Sequence, residues 1–135
     1  MQELNPDSLF SIFEAGDEEV YKENNVDYLL KNPYVLIGMV VRGIDNYKLM
    51  DVIYTRNYPK IYKLHRPKVK LKYYTNLYSY LTRIDIDSIT NEFTIGEDYE
   101  VDATRDRLNE MLYFFENLEH YEKCAGIKKV LDKLL

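Results

Sequence analysis

Apolar residues near the carboxyl end of the chain recur at helical spacing along two consecutive stretches. The first stretch carries Leu108, Met111, Leu112, Phe115 and Leu118, and the second carries Tyr121, Cys124, Ile127, Leu131 and Leu134. Residues three and four apart lie on the same face of an α-helix. A polar turn at Glu119 and His120 separates the two stretches. The sequence therefore predicts two antiparallel helices that end the chain as a helical hairpin.

Asparagine–proline pairs at residues 5–6 and 32–33 predict the starts of two further helices. Asparagine can accept hydrogen bonds from the first amides of a helix, and proline fits the first turn. The second of these helices would hold the most apolar run of the chain, Tyr34–Val41. Such a run could also form a buried strand, but the capping residue favours a helix. Gly43 is predicted to end this helix, and Asp45 to cap the next one.

Two prolines are predicted to divide the middle of the chain, because the residue before a proline avoids the helical conformation. The breaks would fall at Tyr58–Pro59 and Arg66–Pro67, with a short helix over residues 60–64 between them. Residues 68–73 alternate between lysine and apolar side chains, so a strand is possible there. Residues 73–84 return to helical spacing.

These patterns predict a mainly α fold, a single compact domain of about seven short helices. At most one small β-hairpin is expected, at residues 92–101, where two short alternating runs flank Gly96. The domain would span residues 1–135, with a helical body at 1–102 and the hairpin at 103–135. A chain of 135 residues has a common single-domain size and can bury one core.

We expect a soluble, cytoplasmic protein that does not contact membranes. The acidic first residues lack the apolar segment of a signal peptide, and the longest apolar run is shorter than the roughly 20 residues of a membrane helix. Cys124 is the only cysteine, so no intramolecular disulfide forms, which fits a reducing compartment. Its place on an apolar stripe favours buried packing over a reactive thiol paired with His120.

No catalytic signature, cofactor motif or set of metal ligands with the right spacing is present in the sequence. Two histidines and one cysteine cannot form a zinc site by themselves. We therefore predict a protein that is not an enzyme and that carries no cofactor and no metal.

Charge is distributed very unevenly along the chain. Residues 52–83 hold eight lysines and arginines and no carboxylate, whereas residues 1–51 have a net charge of −6 and residues 84–135 of −7. Half of the fourteen tyrosines lie in the same basic segment. Lysine and arginine can neutralise phosphates, and exposed tyrosine rings can stack on bases.

The basic segment predicts a site for nucleic acid or for another anionic partner such as an acidic protein surface. We expect Tyr58, Tyr62 and Tyr73 to be exposed, because they lie beside proline or lysine. The predicted contact residues are Arg56, Tyr58, Lys60, Tyr62, Lys63, Arg66, Lys68, Lys70, Lys72 and Tyr73. The alternative is that the tyrosines pack in the core and the cations form a solvated face or neutralise the acidic flanks.

The C-terminal hairpin, at residues 108–134, resembles the UVR motif of the excision-repair proteins UvrB and UvrC and of several adaptor proteins. The matching residues are Met111, Leu118, Tyr121, Glu122, Cys124, Ala125, Ile127, Lys128, Leu131 and Leu134. This resemblance implies contact with a protein, including a second copy of the motif. The expected interface residues are Met111, Phe115, Leu118, Tyr121, Ile127, Leu131 and Leu134.

Together these features predict a non-enzymatic binding or regulatory protein that contacts an anionic partner, nucleic acid first, and a protein. Its small size and its tyrosine and lysine content would suit a phage-encoded or mobile-element regulator. The alternative is a protein-only interaction module, such as a phage-encoded inhibitor or an adaptor of a host enzyme.

Overall fold

The computed structural model describes residues 30–89 and 101–134. It contains four α-helices in these ranges: α1 at Pro33–Asn57, α2 at Pro59–Thr82, α3 at Val101–Asn117 and α4 at Tyr121–Lys133. A short 3₁₀ turn at Ile86–Ser88 follows α2. Helices hold 89% of the described residues, so the predicted mainly α class is confirmed. The helices expected before residue 30 lie outside the described residues, as does the β-hairpin at 92–101 apart from Val101.

Helix α1 begins as the sequence predicts. The side chain of Asn32 accepts hydrogen bonds from the backbone amides of Tyr34 and Val35, at 2.8 and 3.4 Å. Pro33 occupies the first turn. The apolar run that follows is helical, and Leu36, Ile37 and Val40 are almost completely buried.

The predicted end of this helix at Gly43 is wrong, since α1 continues to Asn57. A Cβ atom at Gly43 would collide with the side chain of Leu77 on α2, so the glycine allows close packing of the two helices. Asp45, predicted as a cap, lies inside α1 and accepts a hydrogen bond from Arg107 on α3 at 2.6 Å.

The break at Tyr58–Pro59 is confirmed, but the predicted break at Arg66–Pro67 is wrong. Pro67 lies inside α2, where it removes one backbone hydrogen bond at a cost of about 3 kcal/mol. Packing on both sides of the proline offsets this cost, because Tyr62 before it and Val69 after it are completely buried. The alternating lysines at 68–72 are therefore helical, and the expected strand is absent from this described stretch.

The contacts between α1 and α2 show that the two helices run antiparallel. Tyr47 on α1 packs against Tyr73 and Tyr74 on α2, with ring centroids 5.5 and 5.3 Å apart. Closer to the connection, Asp51 pairs with Arg66. The single residue Tyr58 joins the two helices.

Helices α3 and α4 form the antiparallel hairpin that the sequence predicts. Near its open end, Arg105 donates two hydrogen bonds to the backbone carbonyl of Leu134, at 2.6 and 3.2 Å. At its closed end, Glu119 adopts a left-handed conformation with a φ of 61° and reverses the chain. The hairpin packs on α2, where a Cβ atom at Gly126 would collide with the hydroxyl of Tyr78. All four helices contribute to one hydrophobic core.

Candidate anion-binding surface

The structure divides the seven cations among the predicted contact residues into two groups. Arg56 at the end of α1 and Lys60, Lys63 and Lys68 on α2 are exposed, and none of them has an ion-pair partner among the residues described. At about 100° per residue, Lys60, Lys63 and Lys68 spread over about 140° of the helix circumference, on the side opposite the buried Tyr62 and Val69. We call Arg56, Lys60, Lys63 and Lys68 the cationic face.

The other group faces the protein itself. Both Lys70 and Lys72 are half-buried, and Lys72 is not free of partners. Arg66 is held by Asp51, with two hydrogen bonds of 2.8 Å each. The ten predicted contact residues therefore do not form one outward surface.

Two of the three tyrosines expected to be exposed are buried, so that prediction is wrong for Tyr62 and Tyr73. Their exposed fractions are 0% and 3%, compared with 39% for Tyr58. The hydroxyl of Tyr62 donates a hydrogen bond of 2.7 Å to Asp51, and the ring of Tyr73 packs against Tyr47. Because both rings are buried, neither ring is available to stack on a base.

Asp51 is the acceptor at the centre of this part of the core. Its carboxylate accepts hydrogen bonds from Arg66, from Tyr62 and, at 3.4 Å, from Tyr47. Burial opposes its ionisation, but the hydrogen bonds and the charge of Arg66 outweigh burial and hold the pKa of Asp51 below its ordinary value. Burial, together with the charge of Asp51, raises the pKa of Tyr47 to about 12. No local sequence pattern indicates this cluster, because Asp51 lies fifteen residues before Arg66.

A groove separates α2 from the end of α3. It has a volume of about 510 Å³. Its lining consists of Arg66, Pro67, Lys68, Lys70, Leu71, Phe114 and Leu118. Sequence reasoning missed Phe114 as a site residue, since it lies more than forty positions from the lysines that it faces.

Lys70 forms one wall of the groove, with its ammonium group above aromatic rings. The Nζ atom lies 5.1 Å from the ring centroid of Phe114, 5.4 Å from that of Tyr74 and 5.9 Å from that of Tyr47. Burial, assisted by the nearby charge of Arg66, lowers the pKa of Lys70. The rings attract the cation, but they replace only part of the water that it loses.

The C-terminal hairpin buries most of its predicted interface residues inside the fold. Met111, Phe115 and Ile127 have exposed fractions of 0%, and Leu134 of 3%. Leu131 is half-buried. Leu118 and Tyr121 remain on the surface, with exposed fractions of 43% and 64%. A protein that contacts this hairpin would therefore meet Leu118 and Tyr121 and not the whole predicted set.

The expectation that Cys124 packs in the core is confirmed. Its exposed fraction is 6%, and its thiol lies 3.8 Å from the carbonyl oxygen of Leu112. Burial raises the pKa of this thiol, which disfavours the reactive thiolate. His120 stacks against Phe115, with ring centroids 5.9 Å apart.

Two absences within residues 30–89 and 101–134 bear on membranes and metals. No helix in these ranges combines the length and the apolar character needed to cross a membrane. Over the same ranges, no three histidine, cysteine or acidic side chains are grouped so that they could hold a metal ion.

Comparison with family models, with curated proteins and with solved structures gives no match to this chain. A functional proposal must therefore rest on the residues and their geometry.

Proposed function

We propose that this protein is a non-enzymatic binding protein whose cationic face contacts an anionic partner, with nucleic acid as the first candidate. One observation carries the proposal: Arg56, Lys60, Lys63 and Lys68 are exposed, and no carboxylate of the described residues pairs with them. Helix α2 itself has no acidic residue over its 24 positions. Cations that are left unpaired in this way can neutralise phosphates and release counterions.

The acidic net charge of −5 does not exclude such binding. At physiological ionic strength, salt screens charges over about 8 Å, so a phosphate at the cationic face responds mainly to the nearby lysines. Because Tyr62 and Tyr73 are buried, the expected contact is with the phosphate backbone and does not depend on base sequence.

Charge reversal on the cationic face tests this proposal. We expect the triple variant K60E/K63E/K68E to bind fluorescein-labelled random-sequence DNA more than about 10-fold more weakly than the wild type at low salt, because three phosphate contacts are lost. Fluorescence anisotropy measures the affinity. The three lysines are exposed, so the substitutions should leave the helical circular dichroism spectrum unchanged.

The matched control is K128E/K129E/K133E on α4, where the three lysines are also exposed. Both triple variants lower the net charge by the same amount. Equal loss of DNA affinity in the two variants would mean that overall charge and not the cationic face controls binding.

The second part of the proposal is that the C-terminal hairpin contacts protein, including a second copy of this chain. The exposed apolar side chains of Leu118 and Tyr121 support it, together with the resemblance to the UVR motif. Deleting the hairpin is not a suitable test, because Phe115 and Ile127 belong to the common core.

A single substitution at the hairpin tests self-association. We expect Y121E to shift the wild-type dimerisation to higher protein concentration, because a carboxylate would be buried against the partner copy. Analytical ultracentrifugation measures the mass. Y113E is the matched control, since Tyr113 is 63% exposed but lies outside the expected interface. A wild-type protein that stays monomeric over the whole concentration range would contradict pairing of the hairpin with itself.

A second candidate function is a protein-only interaction module, such as an inhibitor or an adaptor. The apolar groove between α2 and α3 favours it, because its lining includes Pro67, Leu71, Phe114 and Leu118. Absence of DNA binding by the wild type at low salt would favour this function over the first.

A further inference from the structure

The groove between α2 and the end of α3 combines an apolar floor with a cationic rim. Pro67, Leu71, Phe114 and Leu118 supply the apolar surface. Arg66, Lys68 and Lys70 supply three positive charges, and no acidic side chain contributes to the lining. A site of this composition suits a ligand that presents a large apolar group beside negative charge.

Lys70 is the half-buried cation of the groove. Its ammonium is half-buried above three aromatic rings, and no carboxylate lies within ion-pair distance of it in the described parts of the chain. The two carboxylates whose charge acts on Lys70 are already engaged, since Asp51 pairs with Arg66 and Glu110 lies 2.6 Å from Lys48. A carboxylate that arrives with a ligand would supply the charge-assisted hydrogen bond that Lys70 lacks.

The apolar floor distinguishes an acidic protein segment from nucleic acid as the occupant. A phosphate backbone seated in the groove would place hydrated charges against Phe114, Leu71 and Leu118 without burying apolar surface of its own. An amphipathic acidic segment can bury leucine or phenylalanine there while its carboxylates reach the rim. Leu118 is 43% exposed, so covering it would remove apolar area from water.

We propose that this groove is a docking site for an acidic segment of a partner protein, which inserts a large apolar side chain between Leu71 and Phe114 and places a carboxylate on Lys70. The site goes beyond the proposed contact with nucleic acid and shares only Lys68 with the cationic face. A negative binding result for the groove would therefore not count against the cationic face, and the reverse also holds.

Binding of synthetic peptides to the full chain tests the docking site. The first probe is a fluorescein-labelled amphipathic peptide with glutamates on one side and leucine and phenylalanine on the other. A second probe replaces its glutamates with glutamine, and a third replaces its apolar residues with serine. We expect the first probe to bind, and both altered probes to bind at least about 10-fold more weakly. The glutamine probe lacks the carboxylates for Lys70, and the serine probe lacks the apolar side chains for the groove.

Substitutions of groove residues should also weaken binding of the first probe. K70M keeps most of the side-chain stem and removes the charge, and F114A removes the apolar wall. Each should weaken binding of the first probe by about 10-fold or more. The matched controls are K133M on α4 and Y113A on the same helix as Phe114. Both control side chains are exposed and lie outside the groove, so the affinity for the first probe should stay unchanged.

Three results would overturn the proposal. The first is that the acidic amphipathic peptide binds no better than the glutamine probe, whether both bind or neither does. The second is that single-stranded oligo(dT) binds with the same dependence on Lys70 and Phe114, which would make the groove a nucleic-acid site. The third is that K70M changes the mass of the protein in solution, which would make a second copy the occupant. Urea unfolding of K70M and F114A checks that the variants remain folded at the assay temperature.

Discussion

Replacing Phe115 with alanine will lower the free energy of unfolding by about 3–5 kcal/mol, the usual cost of removing a large aromatic side chain from a core. Phe115 is completely buried. Its ring contacts Phe114 at a centroid distance of 5.1 Å, His120 at 5.9 Å and Tyr78 at 6.1 Å. Because Tyr78 belongs to α2, the loss should weaken the attachment of the hairpin to the other helices. Urea denaturation followed by circular dichroism measures this change.

The control for this prediction lies two residues away on the same helix. Tyr113 is 63% exposed, so Y113A should change the free energy of unfolding by no more than about 0.5 kcal/mol. The variant F115L should lose less unfolding free energy than F115A and more than Y113A, since leucine refills part of the cavity. A loss below about 1 kcal/mol for F115A would contradict the placement of this ring in the common core.

Replacing Asp51 with alanine is the second change for which we expect a large effect, a loss of about 2–3 kcal/mol. The hydroxyl of Tyr62 is attached to a fully buried side chain and would lose its acceptor at 2.7 Å. The side chain of Arg66 is 56% exposed, so water can replace its bonds to Asp51 and its share of the loss is small. The loss of unfolding free energy therefore comes mainly from the buried hydroxyl of Tyr62.

A double-mutant cycle with Y62F separates the two contributions. If the hydroxyl of Tyr62 is the main loss, D51A should cost clearly less in the Y62F background than in the wild type. D45A serves as the control, because Asp45 and Arg107 form an exposed pair that should contribute no more than about 1 kcal/mol. Equal effects of D51A in both backgrounds would rule out the bond between Asp51 and Tyr62 as the source.

The same cluster has a consequence for the dependence of stability on pH. The pKa of Asp51 is lower in the folded state than in the unfolded state. Its contribution is therefore fully present above the unfolded pKa of about 3.9 and is lost as the pH falls from there through the folded pKa. The difference in stability between the wild type and D51A should accordingly shrink on acidification below about pH 4.

The sequence predicts the helices best where the signal is local. The cap at Asn32 and the apolar stripes of the C-terminal hairpin act within one or two turns, and both appear in the structure as expected. The predictions for Gly43 and Pro67 are wrong because the effect of each residue is decided by its packing against another helix. Gly43 accommodates Leu77, and Pro67 is tolerated because buried residues on both sides hold α2 against α1.

The site could be predicted only in part, for a related reason. Counting charges locates the basic segment but not the direction of each side chain. Arg66 donates a hydrogen bond to Asp51 on the neighbouring helix α1. The ammonium group of Lys70 lies above the ring of Phe114 on α3. Tyr62 and Tyr73 are buried by partners that are distant in sequence. Lys60, Lys63 and Lys68 stay exposed, as a solvated or ligand-binding face requires.

The salt dependence of DNA binding is the decisive measurement for the proposed role of the cationic face. With the four cations of that face in contact with phosphates, the plot of log affinity against log salt concentration should have a slope of about −3 to −4. The variant K60E/K63E/K68E should reduce the magnitude of this slope by about three. The control K128E/K129E/K133E should leave it unchanged. A wild-type protein that fails to bind DNA at low salt, or a slope that is the same in all three proteins, would contradict the claim.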